Sequence, residues 1–179
     1  DAAETATAWL EILRRRGGPT GIALTRQNIP VFERGVGEAS GDVFASAEGV
    51  ARGAYILAEA ANGTPDVILI ATGSEVQLAV EARTRLAAEG VQARVVSAPC
   101  LEWFDEQDAA YREHVLPAAV TARVSVEAGI SMPWRGIVGD RGRSISIEHF
   151  GASASFETLF EKFGITTDAV VAAAHEVLG

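Results

Sequence analysis

The sequence predicts an α/β fold: a mostly parallel, Rossmann-like sheet with helices on both faces, preceded by a helix–strand segment. Three observations carry this reading. The run VILIA at 67–71 is unbroken and apolar, and it lies between Asp66 and Thr72-Gly73. Strands of that kind are buried on both faces. Segments with helical spacing, such as 75–89, alternate with further short apolar runs. Strands alternating with helices imply crossover connections and a parallel sheet.

The elements follow in order. Asp1 and Glu4 have the spacing of a capping box, and Ala6, Trp9, Leu10 and Leu13 continue at helical spacing. Residues 2–16 therefore read as an amphipathic helix, closed by Gly17-Gly18-Pro19. The run GIALT at 21–25 reads as a short buried strand, with Arg26-Gln27-Asn28 at its carboxyl end. Residues 29–48 carry Pro30, Gly35, Gly37, Gly41 and several acids without periodicity, the texture of a linker or long exposed loop. The boundaries expected are 1–30 for the end of one domain, 31–48 for the linker and 49–179 for a second domain.

Within that second domain, 53–58 reads as an edge strand and 67–71 as a buried one. Ser74 is the expected cap of a helix over 75–89, whose inward stripe is Val76, Ala79, Val80, Leu86 and Ala87 and whose stop is Gly90. A strand over 94–98 ends at Pro99. A helix runs from Asp105 to about His114, and a strand covers 122–127. A helical turn at 133–138, a strand at 144–148 and a helix at 154–163 follow. Thr167 is the expected cap of the last helix, with Val170, Val171, Ala174, Val177 and Leu178 on one stripe.

Composition limits the function. Hydrophobic residues make up 48% and charged residues 22%, enough apolar material for a packed core and against disorder. The net charge of −9, with Lys162 the sole lysine, removes the basic face that a nucleic acid partner requires. No stretch has the length of a membrane span. The one cysteine, Cys100, excludes an internal disulfide and fits a reducing compartment. The first residue is Asp1 and the lone methionine is Met132, so the chain is expected to be part of a longer polypeptide.

Candidate chemistry is sparse. The turn ATGSE at 71–75 joins a strand to a helix, but it is neither GxGxxG nor a P-loop. Glu75 would oppose an anion there, so a structural turn is the better reading. The segment GDRG at 139–142 lacks the second glycine of the Gly-Asp-Gly motif that holds a metal diphosphate, and no asparagine follows it. It reads as a surface turn. His114, His149 and His175 lack metal-pair spacing. The cluster Arg14-Arg15-Arg16 reads as a solvated helix end. Arg26, at the end of a predicted strand, could bind a phosphate through paired hydrogen bonds or anchor a loop by a salt bridge.

Several segments together resemble transketolase. GPTGIALTRQNIP is similar to the end of the family's pyrimidine-binding domain. DVILIATGSEVQLAVEA, ARVVSAPCLEWFDEQDAAYREHVLP, ARVSVEAGI and FGASASFETLFEKFGIT resemble, in order and spacing, its carboxyl-terminal domain. The resemblance implies an enzyme that moves a two-carbon ketol unit between sugar phosphates, with thiamine diphosphate and Mg²⁺ (or Ca²⁺), as a cytoplasmic homodimer. It implies a substrate-phosphate role for Arg26, since the family has Ser-Arg-Gln-Asn where this chain has Thr25-Arg26-Gln27-Asn28. Catalytic, cofactor-binding and metal-binding residues are expected upstream of Asp1. The segment alone is therefore expected to be inactive, to bind no cofactor and to support the dimer. Two alternatives stay open: a freestanding α/β module for a small anion or regulator, and the corresponding part of a related thiamine enzyme such as a dihydroxyacetone synthase.

Overall fold

The computed structural model describes residues 1–39 and 43–179. The central part of the linker, at 40–42, lies outside the described residues. Among them a five-stranded sheet has the order β1-β3-β2-β4-β5, with β1 Tyr55–Ala58, β2 Val67–Ala71, β3 Ala93–Ser97, β4 Arg123–Val126 and β5 Arg143–Ile145. Strands β3, β2, β4 and β5 run parallel, with Val67 opposite Ala93, Ile68 opposite Arg123 and Val124 opposite Arg143. The edge strand β1 is antiparallel to β3.

Alternation of side chains along the strands builds two cores. Val67, Leu69 and Ala71 of β2 and Val124 and Val126 of β4 face one side. There they meet α2 (Val76–Ala88) through Val76, Ala79, Ala82 and Leu86, and α7 (Thr167–Leu178) through Val170, Ala173, Ala174 and Val177. Ile68, Ile70 and Val96 face the other side. They pack on Phe104 of α3 (Leu101–Asp105), Val115 of α4 (Ala109–Val115) and Val138 of α5 (Arg135–Val138). The helices on both faces are those the apolar runs imply. The chain also contains α1 (Ala2–Arg14) and α6 (Phe156–Phe163).

Several local expectations change. The predicted strand at 21–25 has no ladder, and Leu24 is 56% exposed. A strand needs a neighbour to take its backbone hydrogen bonds, and no neighbour lies beside this one among the described residues. Helix α1 has the expected capping box, with Asp1 accepting from the Glu4 amide. Its apolar stripe does not face inward, however. Trp9, Leu10 and Leu13 are exposed, whereas Asp1 and Glu4 are buried.

Ser74 does not cap α2, because its hydroxyl donates to the neighbouring Glu75 carboxylate instead. The chain enters α2 through a 3₁₀ turn, Gly73–Glu75. The helix expected from Asp105 to His114 is two helices, because Asp108 accepts from the Tyr111 amide at 2.8 Å and starts α4 anew. The cap of α7 is Thr166, not Thr167. The Thr167 hydroxyl instead donates to Glu81 on α2 at 2.9 Å and ties the two helices together. The described parts of 29–48 are not uniformly exposed: Ala45 is buried, and Arg34 pairs with Phe44 in an isolated bridge.

Candidate functional site

The order of the sheet places a cleft at one end of its strands. From β2 the chain crosses to β3 on one side and from β3 to β4 on the other, so the crevice opens at the carboxyl ends of β2 and β4, where such sheets bind ligands. A cleft of about 650 Å³ lies there. Thr72–Glu75 follow β2 into it, Ser97 and Cys100 stand at the end of β3, and Glu127 and Ala128 at the end of β4. Its opposite wall is α1 together with residues 20–25 and Gln27.

The electrostatics of the cleft are acidic. Glu4, Glu75, Glu102 and Glu127 line it, and no arginine or lysine does among the described residues. Glu75 is buried, and burial pushes its carboxyl up. The Ser74 hydroxyl and the Ala128 amide, 3.2 Å from its Oε2, oppose that shift, while the Glu127 charge adds to it. Glu127 in turn accepts from the Trp134 indole at 2.7 Å. This surface repels a small anion, so the anion-module reading loses its support from the strand ends.

Arg26 stands at an exposed bend. Its neighbours Thr25 and Gln27 line the cleft and Arg26 does not. The Thr25 hydroxyl donates to the Gln27 side-chain oxygen Oε1 across the bend. Arg26 itself makes no hydrogen bond or ion pair among the described residues. Two other arginines are occupied instead: Arg94 grips Glu59 at 2.7 and 2.9 Å, and Arg123 donates to the carbonyls of Val120, Ile137, Leu116 and Pro117. The salt-bridge alternative for Arg26 therefore has no partner in the described chain.

The remaining candidates are structural. Burial, with the Glu102 carboxylate, pushes the Cys100 thiol up against the lowering by the Trp103 amide, away from the thiolate that reacts. His149 is exposed, its ring edge-on to Phe163 at 4.8 Å. His114 and His175 lie on helix surfaces near Glu38 and Glu89. Of the arginine cluster, Arg14 pairs with Glu11, while Arg15 reaches Glu106 at 2.8 Å and stacks on Trp103.

A thiamine diphosphate–metal centre needs oxygen donors converging on one point. Among the described residues no group of three His, Cys, Asp or Glu side chains is placed to hold a metal ion. Asp140 is exposed in a turn between Gly139 and Arg141. The donors of this chain do not fit such a centre.

One set of residues escaped the sequence reading. Glu4 accepts from the Tyr55 and Ser97 hydroxyls, each at 2.6 Å, and Arg34 donates to Asp1 and Tyr55. Glu4 was legible as a helix cap. Partners 51 and 93 residues away leave no local signal.

Comparison with known proteins agrees with this geometry. A family model described as the transketolase-like TK C-terminal domain matches residues 53–166. A Mycobacterium tuberculosis transketolase is 53% identical over 184 residues, covering 99% of this chain and 25% of its own length. Escherichia coli transketolase 1 is 51% identical over 178 residues, with 99% and 26% covered. The solved transketolase of Leishmania mexicana superposes with a TM-score of 0.85 at 39% identity, over 99% of this chain and 24% of that one. That of Pichia stipitis, in complex with sedoheptulose 7-phosphate, gives 0.83 at 32% identity, with the same coverage. This chain spans about a quarter of the length of the relatives it matches. It belongs to the transketolase family, as the carboxyl-terminal quarter of that enzyme, with its sheet forming the transketolase C-terminal domain.

Proposed function

We propose that this chain serves a transketolase that moves a two-carbon ketol unit between ketose and aldose phosphates, and that Arg26 binds the substrate phosphate. The observation that carries the reading is the exposed guanidinium of Arg26, unengaged among the described residues while Arg34, Arg94 and Arg123 are each held by several acceptors. A guanidinium left free on a surface bend offers two parallel N–H donors to a phosphate. The sugar phosphate bound in the Pichia stipitis relative is of the class this role requires.

The role of Arg26 is remote from bond making. It holds the far end of the substrate, so that binding energy positions the reacting carbonyl. The Thr25–Gln27 contact keeps the bend that turns Arg26 away from the acidic cleft. Thiamine diphosphate supplies the electron sink in the whole enzyme, held with its metal by residues outside this chain. The α/β domain is a scaffold that supports a homodimer of the full-length protein. No helix among the described residues is long and apolar enough to cross a membrane, and cytoplasmic residence fits the free thiol of Cys100.

The test is the full-length protein with Arg26→Ala. A hydrogen bond to a charged group contributes about 1.5–3 kcal/mol, so KM for the sugar phosphate is expected to rise roughly 10- to 150-fold, with kcat less affected. An unchanged KM refutes the assignment. Calorimetry on the 179-residue chain is expected to detect no tight binding of thiamine diphosphate, and tight binding would overturn the scaffold role.

A further inference from the structure

The residues that carry Arg26 have no ladder of their own, yet both ends of the segment are held, the entry at α3 of the α/β domain and the exit at Asp1, the cap of α1. Residues 16–31 form neither helix nor strand. At the entry, the Arg15 guanidinium donates to Glu106 at 2.8 Å and lies 4.2 Å from the Trp103 ring centre. At the exit, the Phe32 amide donates to the Asp1 carboxylate at 3.0 Å.

Two residues beyond that exit, Arg34 closes a buried polar network. Its guanidinium donates to Asp1 Oδ2 at 3.0 and 3.3 Å, to the Ala45 carbonyl at 3.0 Å and to the Tyr55 hydroxyl at 2.9 Å. The Tyr55 hydroxyl in turn donates a hydrogen bond to Glu4 Oε1, where the Ser97 hydroxyl converges as well. Glu4 Oε2 accepts from the Asp1 nitrogen at 2.7 Å. The network thus joins α1, the exit of the segment, β1 and β3. The Arg34 side chain is 8% exposed, Asp1 1% and Glu4 9%.

Such a set admits few geometries, because any slide of α1 or of the exit strands a buried charge or hydroxyl. An apolar contact would tolerate the slide. The choice matters here because α1 leaves its apolar stripe exposed and docks through this network instead.

We propose that Glu4 and Arg34 are positioning residues for Arg26. The pin that they form with Asp1, Tyr55 and Ser97 fixes the exit of the segment, Arg15 fixes its entry, and together they set where the Arg26 guanidinium stands. This rests on the reading of Arg26 as the phosphate ligand. Nothing local marks Arg34 for this role, since it lies eight positions beyond Arg26 in an aperiodic stretch, and only the tertiary structure brings it to Asp1.

The first test uses the 179-residue chain. Hydrogen exchange by mass spectrometry on Glu4→Gln and on Tyr55→Phe is expected to show amides of 2–14 and 32–36 exchanging at least about tenfold faster, with 67–71 and 76–88 unchanged. Tyr55→Phe removes one hydroxyl and carries the test if Glu4→Gln fails to fold. Unchanged exchange in 2–14 overturns the pin.

The second test uses the full-length protein and the ratio of KM for a phosphorylated acceptor to KM for a phosphate-free one. Arg26→Ala is expected to raise that ratio at least about tenfold, and Tyr55→Phe about threefold or more. If Arg26→Ala leaves the ratio unmoved, the phosphate reading of Arg26 fails and the positioning proposal falls with it. If Arg26→Ala raises the ratio and Tyr55→Phe does not, the phosphate reading stands and the positioning role is overturned.

Discussion

Replacing Gly53 by alanine strikes where the backbone of two elements meets. Gly53 follows the 3₁₀ helix Ala47–Arg52 with φ of 83°, a left-handed conformation that an L side chain disfavours. Its carbonyl accepts from the Cys100 amide at 3.0 Å and so ties the start of β1 to the start of α3. A Cβ at this position would press on the Cys100 carbonyl oxygen and the Phe104 amide nitrogen, and would lie 2.7 Å from the Trp103 carbonyl carbon. The Cys100 oxygen and Phe104 nitrogen form the first hydrogen bond of α3, at 3.2 Å, so the methyl group would wedge that bond apart.

The left-handed backbone costs about 1–2 kcal/mol. Overpacking against backbone that cannot rotate away adds about 1–3 kcal/mol. The sum is about 2–5 kcal/mol, or about 4–20 °C in Tm for a chain of this size. Gly90→Ala supplies the control. Its φ is 87°, but nothing lies within 4 Å of the added carbon, so only the backbone cost of about 1–2 kcal/mol applies. Thermal and urea unfolding of both variants, followed by circular dichroism, separate the two effects. Equal losses for Gly53→Ala and Gly90→Ala would refute the close-approach reasoning.

Other perturbations test other parts of the molecule. Glu59→Ala leaves the buried Arg94 without its paired acceptor and is expected to cost about 3–5 kcal/mol by urea midpoint. Arg94→Met should cost less, because the Glu59 side chain is 19% exposed and reaches water. A carboxyl raised by burial in the folded chain, as Glu75 is, carries no penalty below the pH at which the unfolded carboxyl titrates; the penalty grows as pH rises toward the folded value. Glu75→Gln is therefore expected to raise Tm at about pH 7 and to leave it unchanged at about pH 3. Leu13→Glu on the exposed face of α1 is expected to change the stability of this chain by less than about 0.5 kcal/mol. A large loss there would mean that the face is packed.

The α/β domain was largely legible because its signals are local. An unbroken apolar run such as 67–71 has one stable environment, a parallel strand covered on both faces, and it occupies that place with every residue buried. Helical spacing and a terminal glycine set α2 to within a residue or two. Arg26 was singled out by its position after an apolar run and by resemblance. The missed cap at Ser74 has a local cause, the adjacent Glu75 carboxylate that took its hydroxyl, whereas Thr167 lost its hydroxyl to Glu81, 86 residues away.

By itself, the sequence determined the alternation of strands and helices, the two-faced core and the family. The first two follow from periodicity and composition, which neighbouring residues encode, and the family from the resemblance of successive segments in order and spacing. Only the tertiary structure decided the rest. It left 21–25 without a ladder, since a strand is defined by its neighbour and not by its own side chains. It turned the polar side of α1 inward, because Tyr55, Ser97 and Arg34 offered Glu4 and Asp1 a complete set of donors. It also brought Glu75 and Glu127 together at the end of the sheet. Hydrogen bonds and charges act over a few ångströms of space, and separation along the chain says nothing of that distance.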